Sequence, residues 1–530
     1  MAIMLSSFFG LFFLLALIKT FHKLWWIPTR IEYFMASQGI RGPSYRFVLG
    51  NAKEIHNMLK EAMSKPMSLS DAHNIFHKVQ PNQEYWANMY GKNYLQWLGT
   101  QPQLVITELE LIKEVLNNKN RVYLKSGAQR FVKQLFGDGL VVTEGEKWDK
   151  LRKLANHFFH AENLKSMVPA MISSVEMMLE RWKNYEGKEI EVFEEFRVLT
   201  SDVISKTAFG SSYLEGKKIF DMLRRLTFIV TMSFFKIKLP IISKFTKDEI
   251  ESDMLEREIS NSIMVMAKKR EDKVMSGEEG NYGRDLLGGL MKAHHDADRK
   301  KQISMGDLIT EVRSFYFAGQ ETTNSLLAWT VLLLAIHTDW QEEARKEAVN
   351  SFGEHNPTSD GISRLKVISQ IINESTRLYP PVVAFSRHVE EEVRLGNLNL
   401  PAKMGLIISN LPLHLDPQIW GEDVLEFKPE RFSEGVVKAT NNNPAAVGGE
   451  RPVGGKICAV SAGVGGDSLC SGSPPTTLCE ELEFRQLCVH SGDFATATRD
   501  LHWQQLEIDM VGVCDGVRPT LTERDREGER

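Results

Sequence analysis

This chain predicts a mainly α-helical domain with a small β-sheet region. Three observations carry that expectation. Long stretches place apolar residues three to four apart, alternating runs are few and short, and neither an internal repeat nor a long Pro/Gly/Ser linker divides the first 446 residues. By length alone 530 residues would allow several domains, but without a linker one large domain over residues 46–446 is the simpler organisation.

The elements follow in order. Met1 to Ile18 is almost wholly apolar and just long enough to span a bilayer, so residues 1–18 read as a transmembrane anchor. Lys19, His22, Lys23 and Arg30 put the following side in the cytosol, and Trp25 and Trp26 suit the interface. A cleaved signal peptide fits less well, for want of a charged n-region and a small-x-small cleavage site. Helical spacing marks residues 109–117, 146–159, 164–185, 191–209, 217–233, 246–274, 306–336 and 341–351. Strand-like runs are 94–98, 104–107, 392–395 and 404–409. Residues 278–284 are polar and Gly-rich and read as a loop, while 228–242 are unusually apolar and read, on their own, as core.

Composition changes near Val447. All five cysteines lie at or after Cys458, Gly and Ser rise, and the chain ends in an Arg/Glu/Asp run without an apolar period. The absence of cysteine up to Ala446 agrees with a reducing compartment. A net charge of −5 gives no sign of nucleic-acid binding.

Four motifs carry chemistry. Ala318-Gly319-Gln320-Glu321-Thr322-Thr323 sits midway along the apolar helix of residues 306–336. Gly319 would let a flat group approach the backbone, and Glu321 and Thr322 would set a carboxylate and a hydroxyl beside that opening, an arrangement suited to proton delivery at a buried cofactor. The plain alternative is a buried helix whose threonine hydroxyls bond back to the preceding turn. Glu374 and Arg377 are three apart on one helical face, ahead of a Leu-Tyr-Pro-Pro stop. Pro429-Glu430-Arg431-Phe432 follows, and upstream Trp148 and Arg152 are four apart.

Each motif alone is weak, but the ordered set resembles a cytochrome P450, a haem-thiolate monooxygenase, as far as about Ala446. The stretch from Gln38 to Gly50 is similar to the plant group that oxidises terpenoids, hormones and fatty acids. The resemblance implies the P450 fold, haem b (iron protoporphyrin IX), a lipophilic substrate and electrons from NADPH–cytochrome P450 reductase, since no flavin or G-x-G-x-x-G signature is present. It also implies a single-pass anchor in the endoplasmic reticulum membrane with a cytosolic domain, and a basic, Pro-containing hinge over residues 19–45. Thr322 and Glu321 would relay protons, with Ala318 and Gly319 beside the haem. Trp148, Arg152 and Arg387 would bind propionates. Glu374, Arg377 and Arg431 would form a buried ion triad. Phe315, Phe317 and residues 383–385 would face the substrate, although such aromatics also suit plain core. Residues 228–242 would dip into the membrane. Lys147, Lys150, Arg152 and Lys153 would either steer a reductase or form a solvated basic face.

The tail departs from this pattern. In that family the F-x-x-G-x-R-x-C-x-G motif, whose cysteine binds iron, should follow Pro429–Phe432 by roughly two dozen residues. Here Gly454 and Cys458 match and Lys456 stands in for the arginine, but Arg451 replaces the aromatic and Val460 the second glycine. A Gly/Ser-rich run follows where a helix should cover the sulfur. Residues 447–530 therefore read as an aberrant Gly/Ser/Cys-rich tail, disordered or misfolded, from a frame shift, a retained intron or a mis-assembled gene. A divergent tail that keeps Cys458 as ligand is the competing reading. An inactive, haem-less membrane-tethered protein is the alternative to a working enzyme.

Overall fold

The computed structural model describes residues 2–65, 74–118, 121–125, 130–185, 188–234 and 246–440, with 507–508 and 521–522. Helix α1 (Ala2–Phe21) continues through a π-helical turn (His22–Trp26) into α2 (Ile27–Ser37). The segment expected to be a hinge is thus helical as far as Ser37. Pro28 falls in the first turn of α2, and the preceding π turn absorbs the irregularity a proline imposes on the carbonyls before it. Between Ser7 and Ser37 the helix is long and apolar enough to cross a membrane, and its most apolar stretch is unburied by the rest of the protein.

The body is helical. Helices α3 (Ala52–Ser64), α4 (Phe76–Val79), α5 (Pro81–Tyr90), α6 (Leu109–Asn117), α7 (Arg130–Phe136) and α8 (Gly145–Phe158) lead to the long elements α9 (Ala161–Lys183), α10 (Val192–Phe209), α11 (Tyr213–Phe234) and α12 (Lys247–Met275). After α13 (Leu286–His294) comes α14 (Met305–Ile336), with α15 (Thr338–Phe352), α16 (Ser359–Ile362) and α17 (Lys366–Leu378) behind it. Short helices α18 (Asn410–His414), α19 (Pro417–Trp420) and α20 (Val436–Ala439) flank a 3-10 turn at Pro429–Phe432.

A five-stranded mixed sheet, in the order β1 (Tyr94–Leu98), β2 (Gln101–Ile106), β7 (Gly405–Ser409), β4 (Ala384–His388), β3 (Leu124–Lys125), lies beside the helices. A hairpin of β5 (Val393–Leu395) and β6 (Leu398–Leu400) and a two-residue pair of β8 (Glu507–Ile508) with β9 (Leu521–Thr522) complete the strands among the described residues. One core is helical, running from Met171 and Phe196 through Tyr316 and Leu333 to Ile371. A second backs the sheet, with Trp97, Leu104, Leu406 and Trp420 at its centre. Helix α14 crosses the first core and packs along α10. Residues 235–242 lie outside the described residues. The part of that run within α11 buries Ile229 and Val230 and leaves Phe228 39% exposed.

Candidate active site

Helix α14 carries the central motif. Its N-terminus is a capping box: the Asp307 N–H donates to the Ser304 hydroxyl, and the Ser304 N–H donates to the Asp307 carboxylate. From there the helix runs without a break through Gly319, Glu321 and Thr322, so the local opening expected at Gly319 is absent. The Thr322 hydroxyl donates to the Ala318 carbonyl at 2.7 Å, the back-bonded alternative. A Cβ on Gly319 would lie 2.7 Å from Ile204 Cδ1 of α10. The space of the missing side chain is therefore filled by α10, which corrects the expectation that it leaves room for a flat group. Glu321 lies close enough to α10 to act electrostatically on Arg197, whose Nε donates to Glu194 at 2.7 Å. Arg197 escaped sequence reasoning because only the packing of two distant helices brings it to Glu321. Phe315 packs on Phe159 and Phe317 on Phe136, with ring centres 5.4 and 5.1 Å apart.

One lysine–tryptophan contact links helix α8 to the β3–β4 pair, and each side carries a buried arginine. Trp148 and Arg152 are a turn apart on α8. Arg152 is buried, makes no hydrogen bond or ion pair among the described residues, and has an orphaned Nε. Burial pulls its guanidinium below the usual arginine range. Arg387, also buried, lies on β4 opposite Lys125 of β3, and residues so paired share a sheet face. Lys125 Nζ sits 5.0 Å from the centre of the Trp148 ring and donates to the Leu140 and Thr143 carbonyls at 3.0 and 3.3 Å. Lys125 was not legible in the sequence, since a lone lysine has no period and β3 and β4 were not anticipated. Lys125 over Trp148, its strand partner Arg387, and on the helix of Trp148 a buried guanidinium short of an acceptor are donors of the kind the two propionates of a haem need.

The basic face expected from α8 does not form. Lys147 bridges Asp138 at 3.1 Å and Asp307 at 2.7 Å, and Lys150 donates to the Gln302 carbonyl at 2.9 Å. Arg152 is buried, and only Lys153 is exposed. The first three charges turn toward the protein, so together they make no open docking patch.

Glu374 and Arg377 form a bidentate pair, with Nε–Oε2 at 2.7 Å and Nη2–Oε1 at 2.8 Å, both side chains fully buried. Arg377 also donates to the carbonyls of His414, Val424 and Glu426. Arg431 Nε approaches Glu374 Oε1 at 3.6 Å, and its Nη1 donates to Asp423 at 2.8 Å. Burial works to raise the Asp423 pKa, but hydrogen bonds from Lys428 and Arg431 outweigh it and hold the carboxyl down at about 2. The expected triad is thus a tetrad. Asp423 was missed because nothing in its local sequence distinguishes it from the neighbouring Glu422.

Glu311 lies on the helix face of Thr322, at the three-and-four spacing 311, 315, 318, 322. It is 1% exposed and accepts the Leu140 N–H at 2.7 Å. Burial pushes its carboxyl up to about 7. Val383 and Phe385 are half-buried at the start of β4. Cys458 lies outside the described residues.

Comparison with known proteins identifies the family. The profile of the cytochrome P450 family matches residues 68–446. The chain is 54% identical over 445 residues to cytochrome P450 CYP749A22 of Panax ginseng, covering 83% of this chain and 84% of that one. It is 39% identical to cytochrome P450 734A1 of Arabidopsis thaliana (81% and 82% covered) and 38% identical to secologanin synthase 1 of Catharanthus roseus (79% and 81%). A profile match over most of the chain, with identities of this size, leaves one assignment: the chain belongs to the cytochrome P450 family, the haem-dependent monooxygenases.

Proposed function

We propose that residues 46–446 form the catalytic domain of a monooxygenase that hydroxylates a terpenoid, hormone or fatty-acid type of small molecule. O2 and electrons from NADPH, delivered by NADPH–cytochrome P450 reductase, are its co-reactants. Residues 1–18 anchor it, single-pass, in the endoplasmic reticulum membrane with the domain in the cytosol. The observation that carries this reading is the buried Arg152 guanidinium, short of an acceptor and one turn from Trp148, whose ring Lys125 caps while pairing with Arg387 across β3 and β4. These residues would hold the propionates of haem b, and Ala318, on the helix face of Thr322, would lie along its edge. Bound there, haem would supply dioxygen activation, favoured by thiolate donation. Thr322 Oγ1 would exchange the Ala318 carbonyl for a water, and Glu321, in the field of Arg197, would pass the proton on. Glu374, Arg377 and Arg431 keep a structural role, locking the segment that leads to the thiolate loop.

A second reading is favoured by one observation: the family match stops at Ala446, before Cys458. On that reading the tail is foreign and the chain is a haem-less, membrane-tethered protein. Reduced carbon-monoxide spectra of the purified full chain beside Cys458→Ser separate the two. The chain as written is expected to retain haem weakly and to give no thiolate-type Soret band. Such a band in the parent, lost in the variant, would establish Cys458 as ligand and overturn the reading of the tail.

A further inference from the structure

The Leu140 backbone is gripped from both sides. Its N–H donates to Glu311 of α14 at 2.7 Å, and its carbonyl accepts from Lys125 of β3 at 3.0 Å. Two glycines bring the loop this close to α14. A Cβ at Gly139 would strike Glu311 Oε1 and lie 2.8 Å from Thr310 Cγ2. Gly137, at φ +62°, would strike Arg313 Nη2 with any side chain. Lys125 then carries the contact onward to the face of Trp148, at the cradle of cations. The backbone of one residue thus joins a buried carboxyl on the long helix to a cation 186 positions earlier in the chain, by way of residues 137–143.

The charges around Glu311 come from each element packed on it. Asp307 lies one turn earlier on α14, Lys147 projects from α8, and Lys125 from β3. Asp138 of the loop is engaged by Lys147, and Arg313 by Glu256 of α12 at 3.2 Å. Burial dominates and disfavours the ionised carboxyl; the Leu140 N–H and the two lysines favour it, Asp307 opposes it, and burial outweighs the favourable contacts.

We propose that Glu311 is a positioning residue: through the Leu140 backbone it sets the loop of residues 137–143, and with it Lys125 against Trp148, so that ionising Glu311 loosens the cradle. The proposal rests on the reading of Lys125, Trp148, Arg152 and Arg387 as the cofactor cradle. With the loop closed, the carboxyl stays neutral up to about 7. With the loop lifted it is hydrated and returns to its ordinary value of 4.5. Rising pH therefore favours the lifted loop, and these two values make the lifted-to-closed ratio grow about tenfold between about pH 6 and about pH 8.

Hydrogen exchange on the full chain without haem, corrected for intrinsic rates, reads this directly. In the parent, exchange over residues 137–143 is expected to rise about tenfold across that interval. Glu311→Gln keeps an acceptor for Leu140 and cannot ionise, so its rise should vanish. Glu311→Leu should deprotect residues 137–143 and also 122–125. An equal rise in parent and Glu311→Gln overturns the proposal, as does a lifted loop with residues 122–125 unchanged in Glu311→Leu. Should the leucine variant not fold, the glutamine comparison decides alone. Haemin affinity of the parent at the two pH values is the second readout, and it should fall at the higher pH. Exchange as expected with unchanged haemin affinity would overturn the coupling to the cofactor and, with it, the reading of the cradle, whereas failure of the exchange pattern leaves that reading standing.

Discussion

Replacing Glu374 by alanine removes the anion that two buried arginines share. Arg377 is fully buried and would keep its three carbonyl acceptors, at 2.9, 2.8 and 3.3 Å, but lose both carboxylate bonds. Arg431 keeps Asp423, so most of the cost falls on Arg377. The Lys428 N–H also loses its acceptor, Glu374 Oε1 at 3.0 Å. A buried cation stripped of its partner costs about 3–5 kcal/mol, and the lost backbone bond about 1 kcal/mol more. Set against a total stability of about 5–15 kcal/mol for a folded domain, this is a large fraction. The assay is urea unfolding of the full chain in detergent, read as a shift in midpoint at constant slope. Glu374→Ala/Arg377→Met, which removes the stranded charge, should recover about 1–2 kcal/mol of the loss. Placed in a chain with an intact thiolate loop, Glu374→Ala should also fail to incorporate haem. A loss below about 1 kcal/mol, or normal haem content, would refute the argument that this network locks the segment.

Three further outcomes are expected. Gly319→Ala should cost about 1–3 kcal/mol by overpacking against Ile204, and Ile204→Ala should rescue it in the double variant, checked by thermal unfolding. Arg152→Met should stabilise the cofactor-free protein by about 1–3 kcal/mol, because an unpartnered buried group disappears, while weakening haemin binding; the two effects are read by unfolding and by titration. Removing residues 1–30 should release much of the protein from membranes, and release of the intact chain by alkaline carbonate would contradict that.

The sequence made the long helices legible because their apolar spacing persists over many turns. Helix α14 was expected at residues 306–336 and begins one residue earlier, where its capping box sets the start. The strands were harder. β4 begins three residues after Pro380-Pro381, and its side chains are mixed rather than alternating, so the local pattern reads as loop. Without β4 and β3 the pairing of Lys125 with Arg387 could not be foreseen. The ion pair of Glu374 and Arg377 was visible because it lies within one helix. Asp423 and Arg197 were not, since each meets its partner only through tertiary packing. Gly319 misled for the same reason: a glycine in a helix signals close approach, but not what approaches.

The unbroken run from α1 to α2 acts as a keyed shaft. Its lower end is fastened to the body by the Tyr45 hydroxyl on the Leu24 carbonyl at 2.6 Å, and by Gln38, which exchanges hydrogen bonds with the Asn399 backbone at 3.0 and 2.6 Å. A flexible tether would let the domain swivel freely. Here the azimuth of the domain follows the rotation of the helix, residue by residue. One residue inserted near Thr20 would turn everything above it by about 100° relative to the domain. The number of residues between the apolar span and Leu24, rather than their identity alone, thus decides which flank of the domain faces the surface in which the shaft is set.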